Sequence, residues 1–189
     1  MHERMFKHEH AHVLEDPERE KLLPVASVLE LLALRPGMRV ADIGAGTGYF
    51  AIPMARAGAR VVAVDMQPEM LERLRARLDP ADSVTLVTGE ATKTTLANAS
   101  VDLAFLANVW HEIDDRPAAI AEIERVVVPH GRIAIVDWRP TVEESPGPPP
   151  DHRVAADDVV ALLRDSGWQV ESPHSVGPYH YAVLASKPH

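Results

Sequence analysis

The run Val40-Ala41-Asp42-Ile43-Gly44-Ala45-Gly46-Thr47-Gly48-Tyr49-Phe50 constrains this chain more than any other stretch. A short apolar strand enters a turn with glycine at alternate positions, and the apolar spacing beyond it predicts a helix near 47–57. Alternate glycines open backbone angles that a Cβ forbids and let the main chain pass close beneath a ligand. The first N–H groups of a following helix lack partners within it and favour a carboxylate or phosphate. Asp65 closes a second apolar strand, Arg60-Val61-Val62-Ala63-Val64. An acid at the tip of the neighbouring strand is where a ribose presents its two hydroxyls. The pattern points to an adenosine-type ligand.

Two ligand classes compete for it. A dinucleotide fingerprint wants G-x-G-x-x-G, and Tyr49 stands where its third glycine belongs. Asp42, two residues before the first glycine, would repel a pyrophosphate but attract an ammonium or a sulfonium. S-adenosylmethionine carries both cations, and its one carboxylate suits a helix N-terminus. An NAD-dependent oxidoreductase is therefore the weaker alternative.

Four segments in order now resemble the class I S-adenosylmethionine-dependent methyltransferases, in particular the small bacterial group similar to the ubiquinone/menaquinone-biosynthesis enzymes. They are the glycine loop 42–48, the acidic strand end 62–71, the run 102–112 containing Trp110-His111-Glu112, and the helix, Pro/Gly turn and strand of 125–137. The resemblance spans roughly 20–189. It implies methyl transfer to a small-molecule acceptor, with a catalytically inactive cofactor-binding regulatory protein as the alternative from a different class.

Composition narrows the field. The 189 residues suit one domain, 46% of them are hydrophobic, and no apolar run approaches the ~20 residues of a membrane span. There is no cysteine, which excludes disulfides, thiolate metal sites and cysteine nucleophiles, and argues against the arsenite methyltransferases. A net charge of −9 disfavours nucleic acid as partner. The opening lacks a signal peptide's apolar core, so a cytoplasmic location is the expectation. His2, His8, His10 and His12 tempt a metal reading, but no acid or cysteine completes a site and no metal is expected.

Hydrophobic period and breakers predict strands at about 39–43, 60–64, 83–87, 101–107, 132–138, 168–172 and 179–186. Helices are expected at 24–34, 47–57, 68–78, 116–128 and 155–166. The expected fold is α/β: a single doubly wound, Rossmann-like domain over 1–189, its seven-stranded, mostly parallel sheet ending in one reversed C-terminal strand. A polar arm occupies 1–20 and is expected to fold over the cleft, as in similar methyltransferases. Five prolines between 140 and 150 mark 140–153 as a lid or pocket loop.

The resemblance implies that Asp42, Gly44, Ala45, Gly46 and Gly48 cradle the cofactor, Asp65 accepts from the ribose and Met66 packs on the adenine. Glu90 and Ala91, after the third strand, stand where the family has Gly-Asp-Ala, and Asn108 follows the fourth strand at the cofactor's methionine end. His111 either takes a proton from the acceptor or only shapes the pocket. Asp137 and His180 supply polar groups near the transferred methyl. Trp138, Tyr179, Tyr181 and His152 are expected to wall the acceptor pocket, on segments that end on the ligand side of such a sheet.

Overall fold

The computed structural model describes residue 9 and residues 15–142 and 146–188. His2, His8, His10 and His12, and part of the proline loop, lie outside the described residues. Two short helices open the described chain, α1 (Arg19–Leu22) and α2 (Val25–Leu32). Then come β1 (Arg39–Ile43), α3 (Ala51–Arg56), β2 (Arg60–Asp65), α4 (Pro68–Arg77), β3 (Val84–Thr88) and β4 (Val101–Ala107). After a 3₁₀ turn at Trp110–Glu112 follow α5 (Arg116–Val126) and β5 (Val127–Trp138). A second 3₁₀ turn, Pro150–His152, leads to α6 (Ala156–Asp165), β6 (Gln169–Val170), β7 (His174–Val176) and β8 (His180–Ser186).

The helices follow from their apolar stripes and their starts. Pro68 opens α4, which buries Met70, Leu71 and Leu74 on one side. Asp115 caps α5 by accepting the Ala118 N–H at 3.0 Å, and Ala119, Ile120, Ile123 and Val126 turn inward. In α6 the buried residues Val159, Val160 and Leu163 repeat the same spacing.

Pairing runs β3-β2-β1-β4-β5-β8-β6, with β7 also on β8. β1 to β5 pair in parallel and β8 runs antiparallel to its neighbours, so one strand is reversed, as expected. Consecutive strand residues point to opposite faces. Val40, Phe105, Val136 and Leu184 pack on the side of α2 and α3, and Ile43, Leu106, Ile135 and Val183 on the side of α5 and α6. Burial on both faces explains why the strands read as continuous apolar runs.

Three expectations need correction. The helix after the glycine loop starts at Ala51 rather than 47, because 46–50 are spent in turns. β5 begins at Val127, well before 132; its register jumps between Val101↔Val127 and Leu103↔Arg132, so Pro129-His130-Gly131 is a bulge inside a strand. The expected strand 168–172 is an edge split into β6 and β7. Register moves by one residue between Val170↔Ala185 and His174↔Ala182, and Pro173, without an N–H, lies at the break. Among the described residues, no helix is long and apolar enough to cross a membrane.

Candidate functional site

The glycine loop is fastened to the end of β2. The Gly44 and Ala45 N–H groups donate to the Val64 carbonyl at 2.7 and 3.0 Å, and the Gly46 N–H donates to Asp65 Oδ2 at 2.8 Å. Gly44 and Gly48 adopt φ of 76° and 88°, a region closed to most side chains. Space is short as well: a Cβ on Gly44 would meet the Val109 side chain, and one on Gly48 the Leu74 side chain. These two glycines thus let the loop sit against the turn after β4 and against α4.

Two acids meet at this loop. Asp65 is buried, and each carboxylate oxygen already accepts a backbone N–H, Oδ2 from Gly46 and Oδ1 from Gln67 at 2.9 Å. Burial raises its pKa, and the two amides restrain that rise. Asp42 is 3% exposed and its Oδ2 has no hydrogen-bond partner. Burial, then the neighbouring Asp65 charge, push Asp42 up to about 7, against the smaller pull of Arg19 and the Ala51 amide. A buried acid with an open oxygen suits a cationic ligand group. Asn108 sits at the end of β4 with φ 58°, its N–H bonded to the Val136 carbonyl at 2.9 Å and its buried Oδ1 also without a partner. Orphaned acceptors at Asp42 and Asn108, beside a loop closed to side chains, fit a ligand carrying ammonium, sulfonium and hydroxyl groups.

The other cofactor residues differ in setting. Ala45 is buried within the loop. Met66, half-buried, follows Asp65 directly. Glu90 is exposed, and only its backbone is engaged, in a bridge to Lys93 at 3.1 and 2.9 Å. Ala91 is half-buried and packs on the α5/α6 side of the sheet.

His111 and Asp137 form one unit. The His111 backbone N–H donates to Asp137 Oδ2 at 2.9 Å, and its Nδ1 lies 2.8 Å from Oδ1 of the same carboxylate. Asp137 Oδ1 also accepts the Trp138 N–H at 2.7 Å. With Asp137 accepting, Nδ1 carries the hydrogen and Nε2, 3.8 Å from Glu112, is the nitrogen left to take up a proton. Burial opposes charge on the ring, but the bond to Asp137 and the charges of Asp137 and Glu112 outweigh it and raise the His111 pKa.

The expected acceptor residues separate into three places. The Trp138 and His180 rings lie 4.1 Å apart between centroids at a tilt of 41°, with the Tyr179 ring 6.4 Å from Trp138. His180 is fully buried, neither ring nitrogen makes a hydrogen bond of ordinary geometry, and burial lowers its pKa to about 4, although the Leu22 carbonyl and Asp137 favour the charged ring. Tyr181 stands opposite Asp137 across the β5–β8 ladder, on the other face from His180; its hydroxyl is buried without a partner, and its pKa is raised by burial and then by Asp137. His152 lies apart from both, in the wall of a cavity of about 480 Å³.

One participant escaped the sequence reading. Arg19 of α1 lies over the Tyr49 ring at 4.0 Å and close enough to Asp42 to act on its charge. Tyr49 OH donates to the Leu23 carbonyl at 2.7 Å, which draws the N-terminal helices onto the glycine loop. A lone arginine in a polar stretch carried no signal of this.

Comparisons with known proteins agree with this geometry. A methyltransferase domain model matches residues 41–135. An uncharacterized methyltransferase of Mycobacterium tuberculosis is 46% identical over 99 residues, covering 52% of this chain and 39% of that protein. A malonyl-[acyl-carrier protein] O-methyltransferase of Methylococcus capsulatus is 43% identical over 103 residues, 52% of this chain and 37% of that one. The matched region therefore spans about two fifths of these relatives. Among solved structures, a SAM-dependent methyltransferase from Aquifex aeolicus superposes with a TM-score of 0.89 at 29% identity, over 96% of this chain and 99% of that one. Glycine loop, acidic strand end, sheet order and these likenesses agree, and the chain belongs to the class I methyltransferase domain family.

Proposed function

We propose that this protein transfers a methyl group from S-adenosylmethionine to a small-molecule acceptor. The observation that carries the reading is the buried, partnerless Oδ2 of Asp42 beside the glycine loop. Asp42 and Asn108 Oδ1 hold the cationic methionine end. Asp65, already anchoring the Gly46 and Gln67 amides, accepts from the ribose through its remaining lone pairs, with Met66 against the adenine. When bound, the cofactor supplies an activated methyl whose carbon–sulfur bond breaks with its electron pair on sulfur as the acceptor's lone pair takes the carbon, leaving S-adenosylhomocysteine.

The chain's own work is positioning, exclusion of water and proton uptake. His111 Nε2 takes the proton an O–H or N–H acceptor loses, and Asp137 holds the ring and stabilises the imidazolium. The test is incubation with S-adenosylmethionine and candidate acceptors while S-adenosylhomocysteine is measured, alongside calorimetry of cofactor binding. Binding together with acceptor-dependent S-adenosylhomocysteine supports the reading, and failure of the parent chain to bind S-adenosylmethionine refutes it.

A further inference from the structure

A cavity of about 480 Å³ opens on the α5/α6 side of the sheet, and the glycine loop contributes none of its lining residues. Its walls come from four places: Trp110 in the turn after β4, Arg116 at the start of α5, the segment Asp151 to Val154, which includes Arg153, and Asp158 and Leu162 of α6. Trp110 is fully buried, yet its Nε1–H has no acceptor. An indole N–H can only donate, and buried donors in native proteins are nearly always paired. Arg116 donates its Nε–H to the Trp110 carbonyl at 3.2 Å, which fixes the guanidinium on the wall, and its two NH2 groups make no hydrogen bond among the described residues. The partnerless Tyr181 hydroxyl lies within electrostatic reach of Arg116 and Asp158.

Donors of this kind ask for acceptor oxygens. A guanidinium with two open NH2 groups matches the two oxygens of a carboxylate. The lining sets two acids, Asp151 and Asp158, against two guanidiniums, Arg116 and Arg153, so it holds no surplus positive charge for a doubly charged phosphate. Trp110, Val154 and Leu162 suit a short apolar body. Trp110 shares its turn with His111 and follows Asn108 by two residues, so the cavity adjoins the segment assigned to methyl transfer. We infer that this cavity is the acceptor site and that the acceptor is a carboxylate on a short apolar or aromatic body, held by Arg116 and Trp110. The inference rests on the function proposed above.

The probes are benzoate and hexanoate, with benzyl alcohol and hexanol as uncharged counterparts. In ¹H–¹⁵N spectra of the full chain, both acids should move the Trp110 indole resonance saturably and the alcohols should not. Arg116→Gln should weaken both acids by about ten-fold or more, the loss of one charge-assisted contact, with S-adenosylmethionine affinity unchanged. With ¹³C-methyl S-adenosylmethionine bound, ring protons of benzoate should show a nuclear Overhauser contact to that methyl. A still Trp110 resonance, equal affinities in Arg116→Gln, or no contact to the methyl overturns the acceptor site while the proposed function stands. Absence of cofactor binding in the parent chain instead fails the function beneath it.

Discussion

Asp42 in β1 and Asp137 in β5 are both buried acids in the ligand-side halves of parallel strands, two strands apart in the sheet. Their surroundings are opposite. Asp137 accepts three hydrogen bonds, from the His111 backbone, the His111 ring and the Trp138 backbone. Asp42 keeps an oxygen with no partner, and burial, then the second acid beside it, push its pKa up to about 7. A saturated buried carboxylate organises its neighbours, whereas an unsaturated one leaves folding energy unspent until a ligand arrives. The same residue type at the same edge of the sheet thus reads as scaffold in one strand and as binding group in the other.

The sharpest break of this contrast is Asp137→Ala. It strips three buried donors of their acceptor and should cost roughly 3–5 kcal/mol in denaturant unfolding. A loss below about 1 kcal/mol would show that Asp137 is no scaffold. Asp65→Ala comes next, because it removes the loop's anchor and the ribose acceptor together. Two charge-assisted bonds correspond to an affinity for S-adenosylmethionine about 100-fold weaker. An unchanged dissociation constant in calorimetry would remove Asp65 from the site.

Asp42→Asn tests the other half of the contrast and should act in two directions. The folded pKa of Asp42 lies above its ordinary value, so between about 4 and 7 the native state binds more protons than the unfolded chain, and stability falls as pH rises. Asparagine removes that burden, so the ligand-free variant should be more stable than the parent to denaturant at pH 8, by up to about 4 kcal/mol, the worth of a carboxyl pKa raised to about 7. Cofactor affinity should move oppositely. In the parent it rises with pH up to about 7 as Asp42 ionises to meet the cation, and in the variant that slope is absent. Parallel pH profiles for the two proteins would show that Asp42 does not face the ligand. Glu90→Gln should do least: this exposed acid is engaged only through its backbone, and cofactor affinity should stay within about three-fold. A larger loss would extend the ligand-facing acids to a third strand end.

The glycine spacing, Asp42 and Asp65 were legible because they obey local rules. Glycine spacing reports backbone angles within one turn, and an acid closing an apolar run reports a strand end. The boundaries of β5 and the split edge β6/β7 were less so, since Pro129 and Pro173 read as breaks while neighbouring strands hold β5 together and keep Pro173 at a bulge on the edge. The residues expected to converge at the acceptor, Trp138, His152, Tyr179, His180 and Tyr181, were chosen by their place at strand ends and in the proline loop between them. Strand alternation sends Tyr181 and His180 to opposite faces, and His152 belongs to a cavity whose other walls, Arg116 and Asp158, lie on separate helices.

The sequence by itself determined the α/β alternation, the reversed last strand and the identity of the glycine loop, because apolar period, glycine spacing and short connections act over a few residues. Only the tertiary structure decided which buried acids are satisfied and which stay open. Two of the three groups bonded to Asp137 belong to His111 in the turn after β4, the acid that adds to burial in raising Asp42 sits on β2, and Arg19 acts on the Asp42 charge from the N-terminal helix. Hydrogen-bond saturation and pKa depend on atoms a few ångströms apart in space but tens of residues apart in the chain, and no local pattern encodes that distance.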